Sequence, residues 1–332
     1  MKKKCVLLLL LSLLIGACGC GAAARRQESI LTCLIAGHDT AAGNTDVLVL
    51  ASYDFSDGVI TMMQIPRDTY LAADTWQNKV NQIYPTLYAQ NGGRDGRHAA
   101  MQELRRKISS ALGVRVDTYL SLTYDDVAAA VDAIGGVSID LPADFTYTDP
   151  NGQSVTLSAG QSRFDGRASV AYLRHRAGYE NGDLDRLEVQ KRFLAAYFRD
   201  ARRSMSPAAA VALMRRLSDA PATDLTLSQR IRLCWHFFTR RGEVPLRLMT
   251  LAGSAVYDET AGTWYYAVCR AEAERQVSAA FPLCGAFDPL RRLCDNGIPP
   301  LRRIYEAPSV SASDDPAKGD RSSGGAVRPD GS

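Results

Sequence analysis

"NTDVLVLASYDFSDGVITMMQIPRDTYL", residues 44–71, holds two apolar runs of strand character with Asp46, Arg67 and Asp68 standing around them. A packed core has no need of these charges. A carboxylate marks the mouth of one strand and an Arg-Asp pair the end of the next. The stretch therefore points both to a buried sheet and to polar chemistry at its strand ends.

Outward from it, "LTCLIAG", "VDTYLSL" and "GVSIDL" are further β-rich runs, whereas "AAMQELRRKISSAL", "YDDVAAAVDAI" and "DRLEVQKRFLAAYFRDA" carry apolar residues at the helical period. Residues 31–203 thus alternate strand and helix, which predicts an α/β or α+β domain whose mostly buried central sheet is covered by helices. Pro150-Asn151-Gly152 in "TYTDPNGQSVTL" is a turn signal and predicts a hairpin. After Ser206-Pro207 the pattern is helical through "PAAAVALMRRL" and "SQRIRLCWHFF", then strand-like at "TWYYAVCR". The division expected is a main domain over residues 28–205, a smaller α+β extension of unassigned role over 206–308, and a tail over 309–332. That tail is Ser, Gly, Asp and Pro with almost nothing to bury, and is expected to be disordered.

A chain of 332 residues, 46% hydrophobic, can bury a proper core, and a net charge of +3 by itself implies neither nucleic acid nor a membrane surface as partner. Lys2, Lys3 and Lys4 precede an apolar run from Val6 to Ile15, the pattern of an export signal. The run is about half of the ~20 residues a spanning helix needs. Ile15-Gly16-Ala17-Cys18 resembles a bacterial lipoprotein cleavage box, in which residues 1–17 are removed and Cys18 is lipidated. A plain signal peptide and a short uncleaved anchor are the alternatives. In an exported chain up to two disulfides are possible among Cys234, Cys269, Cys284 and Cys294. No CxxC pair occurs and the four histidines are scattered, so nothing in the sequence supports a zinc site.

Asp39 follows the first strand in "AGHDTAAGNTD", and Asp46 opens the second. Carboxylates on neighbouring strand ends can converge on one divalent cation, and Mg²⁺ takes one or two of them beside phosphate oxygens and water. The plainer reading is turn-forming aspartate beside glycine. "QIPRD" and "NKVNQIY" add Arg67, Asp68, Lys79 and Asn81, and a guanidinium fork and an ammonium near two carboxylates suit an anion bridged to a metal. A surface ion pair and solvated loop residues compete with that reading. In "VAYLRHRAGYENGDLDRLEVQ" an extended segment would point Arg174 and Arg176 the same way, toward a doubly charged phosphate or pyrophosphate. Asp183, Arg186 and Gln190 fall at i, i+3 and i+7 and share one helical face. The alternative there is a helix-capping Asp183 and a solvated Arg186.

The collinear series "GHD", "NTD", "IPRDTYL", "KVNQIY", "GVRVDTYLSLTYDDVAAAVDAIGGVSIDLP", "LSAGQSRFDGRASVAYLRHR" and "GDLDRLEVQ" resembles the LytR-CpsA-Psr proteins of the bacterial cell envelope across residues 31–203. The resemblance implies an αβα fold and a phosphotransferase that moves a glycopolymer from a polyprenyl-pyrophosphate carrier to peptidoglycan. It also implies that Asp39 and Asp46 associate with Mg²⁺, that Arg67, Lys79, Arg174, Arg176, Arg186 and Gln190 hold the pyrophosphate, and that Asn81 and Asp183 support them. Three departures stand out. Asn44 and Val189 occupy positions where many members carry arginine, and a lipobox-like signal replaces the usual spanning helix.

The chemistry implied by this resemblance is metal-assisted phosphoryl transfer on the extracytoplasmic face of the cell membrane, with Asp39 as the candidate to accept the acceptor hydroxyl proton. The polymer, whether teichoic acid, capsule or another glycan, stays open. Two other classes use the same residues: a polyprenyl-pyrophosphate hydrolase, and a non-catalytic lipid-pyrophosphate-binding protein, which the missing arginines favour. A transcriptional role lacks a basic recognition helix.

Overall fold

The computed structural model describes residues 29–284 apart from 39–42, 72–76, 149–151, 176–182, 220–222, 241–243 and 260. The opening stretch forms strands β2 (Thr45–Asp54) and β3 (Ile60–Gln64), preceded by β1 (Ile30–His38). A 3-10 turn (Val80–Gln82), α1 (Ile83–Asn91) and α2 (Gly93–Leu112) lead to β4 (Thr118–Thr123) and α3 (Tyr124–Asp132). Four short strands follow: β5 (Val137–Leu141), β6 (Phe145–Thr148), β7 (Ser154–Leu157) and β8 (Gly160–Phe164). Helices α4 (Gly166–Arg174), α5 (Asp183–Ser204), α6 (Pro207–Asp219) and α7 (Leu227–Thr239) come next. The chain then returns to strand at β9 (Leu246–Thr250), β10 (Gly253–Asp258) and β11 (Thr263–Val268), and α8 (Arg270–Ala280) ends the described structure.

Five strands make one mixed sheet in the order β4-β1-β2-β3-β9, antiparallel at β1–β2 and β2–β3 and parallel at β1–β4 and β3–β9. Because side chains alternate across a strand, β2 buries both sets. Leu48 and Leu50 join a core with Met101 and Leu104 of α2, while Val49 and Ala51 face Leu194 and Phe198 of α5. The sheet is thus the middle of three layers, the αβα architecture that the resemblance implied.

The segment after residue 205 does not stand apart from this sheet. Strand β9 pairs with β3 from Ile60↔Leu246 to Gln64↔Thr250, and Leu251, Val268, Ala273, Val277 and Phe281 lie in the same core as Leu34 and Leu50. The extension expected over 206–308 therefore supplies an edge strand and part of the main core. "GVSIDL" becomes β5 and pairs with β8 outside the central sheet, and the expected hairpin forms between β6 and β7. Cys33, Cys234, Cys269 and Cys284 carry free thiols, so none of the considered disulfides forms among the described residues. Cys18, Cys294 and the tail over 309–332 lie outside them. No helix among the described residues is long and apolar enough to cross a membrane.

Helix α4 approaches α3 through its first residue, Gly166, whose N–H donates to Asp132 Oδ1 at 2.8 Å. A Cβ there would lie 2.4 Å from the carbonyl oxygen of Ala128, so the contact exists only because position 166 has no side chain. Gly166→Ala is expected to destabilise the protein by about 1–3 kcal/mol, the usual cost of overpacking. A lower urea midpoint at unchanged slope would show it; an unchanged midpoint would mean that the two helices separate freely.

Candidate active site

The β2–β3 register builds the first part of the site. Gln64 pairs with Val49, and Ile65 N–H donates to Leu48 O at 2.9 Å. Continued two residues further, the same register sets Arg67 opposite Asp46, and Arg67 Nη1 donates to Asp46 Oδ1 at 2.9 Å. The chain then turns, with Thr69 N–H and Oγ1 both donating to Pro66 O. Val80 N–H donates to Thr69 O and Asn81 N–H to Arg67 O, so the "NKVNQIY" segment folds back against the "IPRD" turn. Asn78, at φ 53°, makes the left-handed turn that delivers Lys79, a conformation asparagine tolerates better than most residues.

Lys79 is 8% exposed, and its Nζ lies 3.1 Å from Asp68 Oδ1. It also donates to Thr263 Oγ1 at 3.0 Å and sits 5.4 Å from the Tyr265 ring centroid. Both of those residues belong to β11. The β10–β11 hairpin is fastened to the turn by Tyr266 N–H donating to Asp68 O and Tyr70 N–H donating to Tyr266 O. Burial raises the phenol pKa values of Tyr70, on the turn, and of Tyr265, on the hairpin, so both keep neutral hydroxyls.

Helix α5 supplies the other wall. Arg186, 2% exposed, donates through Nη2 to the backbone oxygen of Asp46 at 3.3 Å. One turn later the buried Gln190 accepts from Gln64 Nε2 at 3.2 Å, and Gln64 Oε1 accepts from Thr250 Oγ1. Arg186 is therefore a buried residue of the cluster rather than a solvated one. Beyond Gln190 the same face turns apolar with Leu194 and Phe198.

Six sequence-expected residues thus gather at one end of the sheet: Asp46, Arg67, Lys79, Asn81, Arg186 and Gln190. Arg174 differs. It is exposed, closes α4 instead of lying in an extended segment, and stacks on the Tyr124 ring at 5.0 Å, with His175 making the turn to extended backbone. Tyr124 follows β4 at the same sheet end. Asp39, Arg176 and the side chain of Asp183 lie outside the described residues. Among the described residues no three His, Cys, Asp or Glu side chains gather as a metal cage. Sequence reading missed Gln64, Thr263 and Tyr265. Gln64 carried a signal, a polar residue closing an otherwise apolar strand; the other two are remote in the chain and carried none.

The LytR_cpsA_psr family model matches residues 21–280, most of the chain. The chain belongs to the LytR-CpsA-Psr family. Among similar proteins is the polyisoprenyl-teichoic acid–peptidoglycan teichoic acid transferase TagV of Bacillus subtilis (strain 168), 25% identical over 233 residues, which are 68% of this chain and 56% of TagV. The probable cell wall biosynthesis protein LcpB of Corynebacterium glutamicum is 33% identical over 161 residues, 48% of this chain and 35% of that one. The chain thus spans about half of TagV and about a third of LcpB. The crystal structure of B. subtilis TagV superposes with a TM-score of 0.59 at 21% identity, covering 80% of this chain and 98% of that one, and shares the fold. Of the two positions that depart from the usual LytR-CpsA-Psr pattern, Asn44 is exposed just before β2. Val189 is half-buried against the cluster of Phe145, Phe164 and Tyr172.

Proposed function

We propose that this protein transfers a glycopolymer from a polyprenyl-pyrophosphate carrier to peptidoglycan, acting at the extracytoplasmic face of the membrane with Cys18 as its lipid anchor. The observation that carries the reading is the convergence of Arg67, Lys79 and Arg186, from three separate elements, on the strand end that holds Asp46. Guanidinium forks and an ammonium in a partly desolvated setting suit the charge of a pyrophosphate. The apolar continuation of α5 suits an isoprenoid tail, and its Phe198 leads to a cavity of about 220 Å³ at the far, Tyr53–Ile60 end of the sheet, room for a short part of such a chain.

The chain's donors also fit Mg²⁺. Asp46 stands at the strand mouth, and the buried Oδ1 of Asn81, which has no hydrogen-bond partner among the described residues, is a second hard oxygen beside the Arg67 turn. Asp39 and Asp46 would hold the ion, which when bound neutralises charge on the phosphate oxygens. Arg67 and Arg186 would orient the pyrophosphate, and Lys79 would oppose the charge that grows on it. The acceptor sugar hydroxyl attacks the phosphorus that carries the glycan, its proton passes to Asp39, and the bond to polyprenyl phosphate breaks. The products are a phosphodiester-linked glycan and polyprenyl phosphate.

The test is incubation of the purified full chain with a lipid-pyrophosphate oligosaccharide, Mg²⁺ and nascent peptidoglycan, followed by mass analysis. A glycan joined to peptidoglycan through phosphate is expected, with turnover lost in excess EDTA and in Asp46→Asn. Release of glycan phosphate with or without peptidoglycan would make the protein a hydrolase. Donor bound without turnover would make it a binding protein.

A further inference from the structure

Seven large apolar side chains are exposed among the described residues, and four of them, Val211, Leu227, Ile231 and Trp235, lie on one face made by α6 and α7. Leu227, Ile231 and Trp235 recur every fourth residue and so form a single stripe along α7. Leu227 is 71% and Trp235 67% exposed, far more than the core-facing side of a surface helix would leave. Helix α7 has no buried residue at all, yet its N-terminus is fixed by a capping box in which the Thr226 and Gln229 side chains satisfy each other's backbone N–H groups. It is a well-formed helix whose Phe237 packs inward while its Leu227–Ile231–Trp235 stripe is left exposed by the described residues. Contiguous exposed apolar surface of this kind marks a contact with something else.

Charge and position identify that contact. The groove between α6 and α7, about 500 Å³, is apolar apart from Arg215, Arg230 and Thr239, and no carboxylate lines it. Helix α7 itself contains no Asp or Glu. An apolar stripe carrying tryptophan and rimmed by arginine is the surface that lies in a bilayer interface, with the indole at headgroup depth and the guanidinium groups on anionic headgroups. The chain also enters the domain beside it. Ser29 O accepts from Phe55 N–H at 3.0 Å, and the Phe55 ring packs against Arg232 at 3.6 Å and against the His236 ring at 4.8 Å, both from α7. Everything before residue 29, including the Val6–Ile15 run and Cys18, therefore joins the domain next to this face. The eleven residue-to-residue steps from Cys18 to Ser29 reach at most roughly 40 Å.

We infer that the α6–α7 face is a membrane-docking surface that lies on the anionic leaflet holding the anchor. Docking sets the orientation of the whole domain. Helix α7 packs on Phe55, just past the end of β2 opposite to Asp46, eight residues or roughly 27 Å along that strand from it. The inference rests on the proposed anchor at Cys18 but not on which reaction the site performs.

Trp235 is its own probe. The full chain with Trp76→Phe and Trp264→Phe leaves Trp235 as the sole tryptophan, to be measured in vesicles of phosphatidylethanolamine and phosphatidylglycerol with plain or brominated acyl chains. A blue-shifted emission that loses about half or more of its intensity to the brominated chains is expected, since interfacial tryptophan lies within their reach. Ile231→Asp should remove both effects with unchanged circular dichroism, and Arg215→Glu with Arg230→Glu should weaken them. Should Ile231→Asp misfold, the quenching of the unaltered face decides alone. Equal emission in plain and brominated vesicles would overturn the inference. So would a blue shift without quenching in a chain that sediments as a dimer, which would make a second copy the occupant. A shift caused only by added polyprenyl phosphate, without quenching, would make the groove a carrier subsite and overturn it as well.

Discussion

Arg67→Ala is expected to lower kcat/KM for the lipid-linked donor by about a hundredfold or more. A charge-assisted hydrogen bond to phosphate in a partly desolvated site contributes roughly 1.5–3 kcal/mol, about ten- to a hundredfold. Arg67 has a second role besides, because its Nη1 holds Asp46 Oδ1 at 2.9 Å. Removing it therefore takes away one contact to the donor and loosens the carboxylate proposed to carry the metal. Arg67→Lys keeps the charge but not the fork, and should fall between wild type and alanine. Arg174→Ala, which removes an exposed guanidinium stacked on Tyr124, should cost less than Arg67→Ala. The control is Arg106→Ala, whose exposed guanidinium pairs only locally with Glu103. If Arg67→Ala stays within twofold of wild type, or if Arg106→Ala is equally damaging, general charge has been measured and the site assignment fails.

The second large effect is on folding. A chain ended at residue 205 should not fold cooperatively, although that boundary looks natural in the sequence. Truncation removes β9, leaving β3 as a bare edge, and takes Leu251, Val268, Val277 and Phe281 from the main core. At roughly 1.5–3 kcal/mol for each buried side chain the loss is about 6–12 kcal/mol, comparable to the whole stability of an ordinary domain. Near-UV circular dichroism and urea unfolding would check it. A sharp transition in the truncated chain would restore the independent domain that the composition suggests.

These two cases show what was legible and what was not. Asp46, Arg67 and Arg186 could be read because each is a charge where the local pattern requires none, at a strand mouth, a strand end and on one helical face. Arg174 was misplaced because its role was inferred from its spacing to Arg176. The local pattern spoke for a helix: Asp165 is an N-cap that accepts from Ala168 N–H, with Ala168 and Tyr172 buried on the same side. Strand β9 escaped notice because "LRLMT" is short, carries Arg247 near its start, and gains its strand character from a partner that lies 186 residues earlier. Thr263 and Tyr265 were missed for the same reason. Their relation to Lys79 exists only after the chain has returned, and nothing in their immediate neighbours reports it.

That return sets an order of events. Lys79 is held between Asp68, close to it in sequence, and Thr263, 184 residues later. A chain emerging from its N-terminus can form β1, β2 and β3 early, but these strands lack β9 and the β10–β11 hairpin until almost the whole domain has been delivered. Parallel pairing over such a separation closes late, because its loop entropy must be met before its contacts form. Assembly of the Lys79 wall then coincides with completion of the sheet, so the nascent protein has no finished candidate site until its C-terminal strands arrive. The candidate site is completed in the last step of folding, and if it works as proposed, a chain stalled short of residue 263 is expected to be inert rather than partly active.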